Sequence, residues 1–134
     1  MDESRLQPIP LFGGLSKKQR RTVAQQADEV DVEKGRHLVR EGEFAYEFFA
    51  IEDGTAEVRK GEQLLAELGP GDFFGEMGLV GDVPRSASVI ATTPMTVIVM
   101  TGQAFRTVDR EHPEVAKQIR SAIEARCREL APVS

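Results

Sequence analysis

Residues 73–89 read FFGEMGLVGDVPRSASV, a glycine-rich turn that carries a single cation. Gly75 permits a sharp turn or a close approach of the backbone to a ligand, and the next four residues are enough for one helical turn. Arg85 then returns the chain toward a strand, and it is the only basic residue between Lys60 and Arg106. A lone cation in an acidic region requires a physical explanation.

The residue types in this turn fit a ligand that carries both an anion and hydroxyl groups. Free amides at the start of a helical turn attract anions, and Arg85 can add a bidentate, charge-assisted contact. Glu76 accepts hydrogen bonds but would repel a bare phosphate, so the ligand must also present hydroxyl donors. A ribose phosphate meets both requirements. The alternative is a surface ion pair between Glu76 and Arg85 beside ordinary turn glycines, which would contribute little stability.

Outward from this turn, residues 29–100 have the pattern of a β-structure. Nine of the twelve glycines fall between Gly35 and Gly81, close to one per turn between short segments. Several of these segments alternate apolar and polar residues, the period of a half-buried strand. Short strands at regular spacing, separated by turn residues, predict a sandwich or a jelly-roll barrel.

The N-terminal part of the chain is predicted to be helical over residues 12–27. Ser16 followed by Gln19 has the spacing of a capping box, which begins a helix. The first ten residues contain Pro8 and Pro10, so we expect them to form an untethered or lightly docked arm.

Residues 102–130 are predicted to form two C-terminal helices. The first covers about residues 102–109, and the second begins at Pro113, a residue suited to the first turn of a helix. Apolar residues then recur at spacings of three and four, which indicates one buried face. These residues are Val115, Ile119, Ala122, Ile123, Cys127 and Leu130. No linker is visible, so residues 1–134 are expected to form one domain.

Composition and charge exclude several classes of protein. The 134 residues carry a net charge of −5, whereas a protein that binds nucleic acid usually presents a basic face. No apolar run reaches the ~18 residues of a membrane span, and no signal peptide is visible. The single cysteine excludes an internal disulfide and suits a reducing compartment. We therefore expect a cytoplasmic protein with no nucleic-acid and no membrane partner.

Residues for catalysis or metal binding are not apparent in the sequence. The two histidines, His37 and His112, lie far apart, and no His-X-His pair occurs. A jelly roll of the cupin type would need several ligands converging from its strands, so no metal site is predicted. Neither a Ser-His-Asp nor a Cys-His arrangement can be argued. We therefore expect that the protein is not an enzyme and has no catalytic residue.

The motifs in 74–79 and 84–89 resemble the phosphate-binding cassette of the cyclic nucleotide-binding domain family. This family includes the regulatory subunits of cyclic-AMP-dependent protein kinase and the bacterial catabolite activator protein. Its pattern is Phe-Gly-Glu, an apolar residue, Gly or Ala, and Leu, then, after a variable loop, Arg, a small residue, Ala and often Ser or Thr. This chain supplies FGEMGL and PRSASV. The resemblance implies an α+β, mainly β fold: an eight-stranded jelly-roll barrel over 29–100, containing the cassette 74–88, with one N-terminal helix and two C-terminal helices.

The resemblance also implies a role for each residue of the cassette. Arg85 would bind the exocyclic oxygens of the cyclic phosphate, and Glu76 would accept a hydrogen bond from the ribose 2′-hydroxyl. Backbone amides at 75–78 and at Ala87 would complete the cradle. Ser86 would contact the phosphate of cyclic AMP or the amino group of a guanine. Some members of the family that prefer cyclic GMP have Thr at this position, whereas the catabolite activator type has Ser. Cyclic AMP is therefore favoured as the ligand, and cyclic GMP stays open.

On the base side, the resemblance implies contacts from outside the cassette. Leu65 and Ala66 would line the sugar or base. The group that caps the base normally comes from the last helix, where this chain offers Arg126, Cys127 and Leu130. The polar pair of the catabolite activator type has no clear equivalent here. The complete set of predicted ligand-binding residues is Phe74, Gly75, Glu76, Met77, Gly78, Leu79, Arg85, Ser86, Ala87, Leu65 and Ala66.

These implications amount to a cyclic nucleotide sensor that signals by movement of its C-terminal helices. Closure of the cassette would shift Leu79 against the region around Phe105, and helix 113–130 would swing over the base. The signal would pass to an unknown protein partner or to a homodimer formed through the C-terminal helix. The alternative is a domain of the same fold that serves interaction or structure and binds no nucleotide. Arg85 and Glu76 are both present, which disfavours that alternative.

Overall fold

The computed structural model describes residues 1–44, 47–75 and 84–129, with the side chains of the last helix described as far as Ala125. Its helices are a short 3-10 helix (Glu3–Arg5), α1 (Pro10–Gly13), α2 (Lys17–Gln26), α3 (Gly102–Glu111) and α4 (Pro113–Glu129). Its strands are β1 (Asp28–Val32), β2 (His37–Val39), β3 (Glu47–Asp53), β4 (Ala56–Lys60), β5 (Gln63–Leu68), β6 (Phe73–Phe74), β7 (Ser88–Ala91) and β8 (Met95–Thr101).

The eight strands form two antiparallel sheets of four strands each, in the orders β1-β8-β3-β6 and β2-β7-β4-β5. The predicted mainly β fold with eight strands is therefore confirmed. The predicted jelly-roll barrel is not confirmed: the barrel is not closed, because no ladder among the described strands joins one sheet to the other. The edge strands β2 and β6 have only three and two residues, so they offer little backbone for pairing across the gap.

The first sheet is buried on both faces, which explains the long apolar runs of its central strands. Phe48 and Ala50 of β3 point to the helices, whereas Phe49 and Ile51 point to the second sheet. We call the cluster between the first sheet and the helices the helix layer, and the cluster between the two sheets the interior layer. The helix layer includes Leu6, Phe12, Val23, Phe48, Phe73, Met100, Phe105 and Ile119. The interior layer includes Val32, Val39, Phe49, Val58, Phe74, Ala87, Val89 and Val97.

The N-terminal segment is part of the helix layer, so the predicted untethered or lightly docked arm is wrong. Leu6 and Ile9 are 0% and 3% exposed, and Pro10 begins α1 earlier than the predicted start at residue 12. Arg5 contacts Glu29 and donates from Nε to Glu52 over 2.7 Å. That hydrogen bond lowers the pKa of Glu52 below its ordinary value. The two prolines suggested a free arm, but apolar burial and a charged contact hold it in place.

The predicted capping box at the start of α2 is confirmed. The Ser16 hydroxyl accepts from the amide of Gln19 over 3.2 Å, and the Gln19 side chain accepts from the amide of Ser16 over 2.8 Å. These two bonds satisfy amides that the first helical turn leaves without partners. None of the helices described here is both long and apolar enough to cross a membrane.

One arginine joins the two C-terminal helices, whose apolar faces also pack together in the helix layer. Arg120 of α4 donates to both carboxylate oxygens of Asp109 of α3, over 3.2 and 2.7 Å. Its guanidinium also lies 5.1 Å from the ring centre of Phe105. The predicted apolar face of α4 is confirmed at Val115, Ile119 and Ile123, which are all buried in the helix layer. Cys127 and Leu130 of that face lie outside the described side chains.

Candidate functional site

Arg85 is the one charged residue among the described parts of the chain that is buried, with 3% of its surface exposed. Its backbone pairs with the turn between β2 and β3: its amide donates to the carbonyl of Glu43 over 2.9 Å, and its carbonyl accepts from the amide of Gly42 over 2.8 Å. A bridge between Phe44 and Pro84 continues this pairing. The backbone of Arg85 is therefore fixed at one end of the interior layer.

The guanidinium of Arg85 is oriented by a backbone carbonyl. Its Nη2 donates to the carbonyl oxygen of Glu47, the first residue of β3, over 2.5 Å. Removing a cation from water is costly unless polar groups replace the lost hydration. Arg85 is buried despite this cost, and its planar guanidinium is suited to bind an oxyanion.

Gly75 lies against this guanidinium, and its predicted approach to a ligand stays a prediction. Its φ is +79°, a conformation that residues with a side chain rarely adopt. A Cβ at this position would lie 2.6 Å from the carbonyl oxygen of Glu47 and 2.8 Å from Nη1 of Arg85. Gly75, Glu47 and Arg85 therefore meet at one point, and only glycine fits there.

The residues next to these three extend into the interior layer. Phe74 is fully buried and stacks on Phe49, with ring centres 5.0 Å apart. Ala87 is 1% exposed within the same layer, whereas Ser86 is exposed. The site is thus built at the end of a packed layer, with a polar residue at its surface.

The two predicted residues of β5 lie in different environments. Ala66 pairs with Val58 of β4 and packs against the interior layer. Leu65 is 45% exposed and is the extra residue where the register shifts between the Val58–Ala66 and Arg59–Leu64 pairs. The structure therefore orients Ala66 inward and leaves Leu65 largely in water.

Several predicted site residues fall outside the described parts. Glu76, Met77, Gly78 and Leu79 belong to the range 76–83, and Leu130 follows the last described residue. Arg126 and Cys127 lie within α4, but their side chains are not described. Their predicted roles stay predictions. In the described ranges, no group of three or more His, Cys, Asp or Glu side chains is placed to hold a metal ion.

Sequence reasoning missed the turn 42–43 and Glu47, which hold the backbone and the guanidinium of Arg85. All of these contacts use backbone atoms, so the side chains at these positions carry no signal of their role. Gly42, with a φ of +83°, indicates a tight turn here. A tight turn alone does not reveal which residue it contacts.

This geometry belongs to a known class of domain. The family model for the cyclic nucleotide-binding domain matches residues 29–112. This match covers more than half of the chain, and the chain belongs to that family.

Two curated relatives are named as regulatory subunits of a protein kinase. The chain is 33% identical over 106 residues to a cAMP-dependent protein kinase regulatory subunit of Hypocrea atroviridis, covering 79% of this chain and 23% of the relative. It is 38% identical over 102 residues to the subunit of the same name from Debaryomyces hansenii, covering 75% of this chain and 22% of the relative. The chain thus spans about a quarter of the length of these relatives.

Solved structures share the fold. The N-terminal domain of a transcriptional regulator from Streptomyces coelicolor matches with a TM-score of 0.82 and 25% identity, over 93% of this chain and 91% of that one. The Thermus thermophilus catabolite activator protein matches with a TM-score of 0.76 and 26% identity, over 90% of this chain and 59% of that one. The fold and the family therefore agree.

Proposed function

We propose that this domain binds cyclic AMP in preference to cyclic GMP, and that Arg85 holds the cyclic phosphate. The observation that carries the proposal is the burial of Arg85, of which only 3% is exposed. Its guanidinium lies against Gly75. A fixed, planar cation beside a backbone position that excludes a side chain is suited to bind an anion closely. The preference for cyclic AMP is supported by the relatives, which are named as regulatory subunits of a cAMP-dependent kinase.

The other cassette residues keep their predicted roles within this proposal. Glu76 binds the ribose 2′-hydroxyl, and the amides of 75–78 and of Ala87 complete the phosphate cradle. Ala66 lines the sugar or base from the interior side, and Leu65 covers it from the exposed side. Arg126, Cys127 and Leu130 of the last helix are the proposed base-capping residues.

The signal is proposed to reach the C-terminal helices through β3 and β8. Glu47, whose carbonyl contacts Arg85, pairs directly with Thr101 at the end of β8. The hydroxyl of Thr101 accepts from the amide of Ala104 over 3.1 Å and so caps α3. A shift of the guanidinium toward a phosphate therefore acts on the start of α3 through one strand pair. A ligand can drive this shift only by binding one of the two arrangements more tightly than the other.

The helices are proposed to respond as one body. Arg120 joins α4 to Asp109 and Phe105 of α3. Moving α4 alone would break this contact and expose the buried face that contains Val115 and Ile119. The predicted swing of helix 113–130 is therefore proposed to carry α3 along with α4. The domain is proposed to act in the cytoplasm as a regulatory module without catalytic activity and to pass the signal to a protein partner.

Calorimetric titration of cyclic AMP tests the role of Arg85. Loss of a buried arginine that pairs with phosphate typically costs ~2–5 kcal/mol, so Arg85→Ala should weaken binding by roughly 30-fold to several thousand-fold. Arg85→Lys should recover only part of the affinity, because it keeps the charge but loses the planar fork. Arg110→Ala removes an exposed cation of α3 and should bind as the unchanged protein does. Equal affinity of Arg85→Ala and the unchanged protein contradicts the assignment.

Thermal unfolding with a panel of nucleotides tests the choice of ligand. Cyclic AMP should raise the unfolding temperature, cyclic GMP should raise it less at the same concentration, and non-cyclic AMP should leave it unchanged. A larger shift with cyclic GMP would overturn the proposed preference. Absence of any shift at saturating nucleotide would favour the alternative of a domain that binds no nucleotide.

A further inference from the structure

Glu41 lies at the end of the second sheet where Arg85 also lies. β2 ends two residues before Glu41, and β7 begins three residues after Arg85. β2 and β4 both end beside the start of β7, because β7 pairs with each of them there. The turn between β4 and β5 is therefore at this end of the sheet as well, together with the proposed nucleotide site.

The backbone and the side chain of Glu41 bond to two different strands of this sheet end. Its amide donates to the hydroxyl of Ser88, the first residue of β7, over 2.9 Å. Its carboxylate accepts from the amide of Gly61, in the turn between β4 and β5, over 2.9 Å. Because β7 lies between β2 and β4, the side chain of Glu41 reaches past β7 to a hairpin with which β2 does not pair.

The two residues after Glu41 hold the backbone of Arg85. The amide of Gly42 donates to the carbonyl of Arg85, and the amide of Arg85 donates to the carbonyl of Glu43. The turn 41–43 thus contacts Arg85 through its backbone and the β4–β5 turn through one carboxylate. It is the part of the structure that connects these two regions directly.

The tip of the β4–β5 hairpin depends on such a contact because its ladder is irregular. The register shifts between the Val58–Ala66 and Arg59–Leu64 pairs, and Leu65 is the extra residue. A bulge of this kind interrupts the ladder and changes the direction of a side chain. The tip beyond the bulge is therefore paired less regularly than the rest of the hairpin, and the bulge itself contains a residue proposed to cover the sugar or base.

We propose that Glu41 is a positioning residue of the nucleotide site: it fixes the distance between Arg85 and the bulged end of β5. This role rests on the proposed function, because the two regions that it connects are the proposed phosphate and base sides of the ligand. Glu41 is exposed, but a hydrogen bond from an amide to a carboxylate is stronger than one between neutral groups. It is therefore suited to hold the hairpin from the surface.

Loss of this carboxylate has two effects of opposite sign on the binding of an anion. Removing a negative charge near the site reduces repulsion and should strengthen binding slightly. Losing the bond to Gly61 frees the hairpin tip and should weaken binding. Glu43 separates the two effects, because its exposed carboxylate forms no hydrogen bond or ion pair among the residues that the structure describes.

Calorimetric titration of cyclic AMP tests this role with three variants. Glu41→Ala should raise the dissociation constant about 3- to 10-fold, because the hairpin tip loses its bond. Glu41→Gln keeps an oxygen that accepts from Gly61 and should bind within about twofold of the unchanged chain. Glu43→Ala is the matched control for charge and should bind at least as tightly as the unchanged chain. Unchanged affinity in Glu41→Ala, or equal weakening in Glu41→Gln, overturns the proposal.

Hydrogen exchange without nucleotide tests the hold on the hairpin by itself. Glu41→Ala should speed the exchange of the backbone amides of 63–66 about threefold or more, and Glu41→Gln should restore the slower rate. An unchanged rate in Glu41→Ala overturns the role of Glu41 and leaves the proposed function intact. If the unchanged chain does not bind cyclic AMP, the proposed function fails and the positioning role falls with it, so the two failures are distinguished.

Discussion

Phe48 and Phe49 are neighbours in β3, but they lie in two layers that are built differently. Phe48 is 0% exposed in the helix layer and packs between Phe12 and Phe73, each with its ring centre 5.7 Å away. Phe49 is 7% exposed in the interior layer, where it stacks on Phe74 and borders a cavity of about 160 Å³. One strand thus separates a layer closed by large side chains from a layer that retains open space.

The difference follows from the residues on each side of the first sheet. The helix layer contains several aromatic residues, and their shape fills the space between sheet and helices. The interior layer consists mainly of valine, which is favoured in strands, and alanine, and both have little volume. The helix layer therefore contributes more of the stability than the interior layer. The site with Arg85 and Gly75 lies at the end of the interior layer.

Replacing each of the two phenylalanines by alanine tests this comparison and should give the largest effects. Phe48→Ala leaves a cavity between rings that are fixed on both sides, so it should lower the free energy of unfolding by ~3–5 kcal/mol. Phe49→Ala should cost less, about 3 kcal/mol or below, because the space beside it already gives its neighbours room to relax. Urea denaturation measures both. A larger loss for Phe49→Ala would reverse the ranking of the two layers.

Replacing Gly75 by alanine tests the end of the interior layer where Arg85 lies. The positive φ costs ~1–3 kcal/mol for a residue with a side chain. The added Cβ would also displace the guanidinium of Arg85 or the carbonyl of Glu47. We expect the affinity for cyclic AMP to fall by about tenfold or more, as measured by calorimetry.

Gly71→Ala is the matched control for this variant. Gly71 has a φ of +91°, but a Cβ there meets no atom within 4 Å. It should lower the free energy of unfolding only by the ~1–3 kcal/mol that the positive φ costs, and it should leave the affinity for cyclic AMP unchanged. Equal losses of affinity in Gly71→Ala and Gly75→Ala would contradict a specific contact between Gly75 and Arg85.

The smallest effect is expected at the charged contact that fastens the N-terminal segment to the first sheet. Glu52→Gln removes the carboxylate that pairs with Arg5, and a partly exposed pair of this kind contributes below ~1 kcal/mol. Arg5 lowers the pKa of Glu52 below its ordinary value of 4.5, so the pair stabilises the fold above that pH. The contribution is lost as the pH falls through the lowered pKa. Denaturation of both proteins across this pH range should show the difference vanish in acid, and a difference that grows in acid contradicts the pairing.

Much of the fold was predictable because it depends on local patterns. Ser16 and Gln19 predicted the start of α2, and the spacing of Val115, Ile119 and Ile123 predicted the buried face of α4. The N-terminal segment was misjudged, because Leu6 and Ile9 have too short a pattern to indicate what covers them. Closure of the barrel depends on pairing between distant strands, and no local pattern determines that pairing.

In the site, too, some residues could be predicted from the sequence and others could not. Gly75 and Arg85 could be identified from their residue types and spacing. The carbonyl of Glu47 could not, because any residue supplies a carbonyl and only the pairing of β3 places this one beside Arg85. The ring of Phe44 could not be recognised as exposed for a similar reason: its position depends on a bridge to Pro84, forty residues further along the chain.

The location of the helix layer has a practical consequence for the expression of shorter fragments of this chain. The matched family region, 29–112, ends before α4 and begins after α2. A fragment cut at those limits would lose Leu6, Phe12 and Ile119 and would uncover part of the layer that contains Phe48 and Phe73, although α3 would remain. Such a fragment is expected to aggregate, although it would contain the whole cassette.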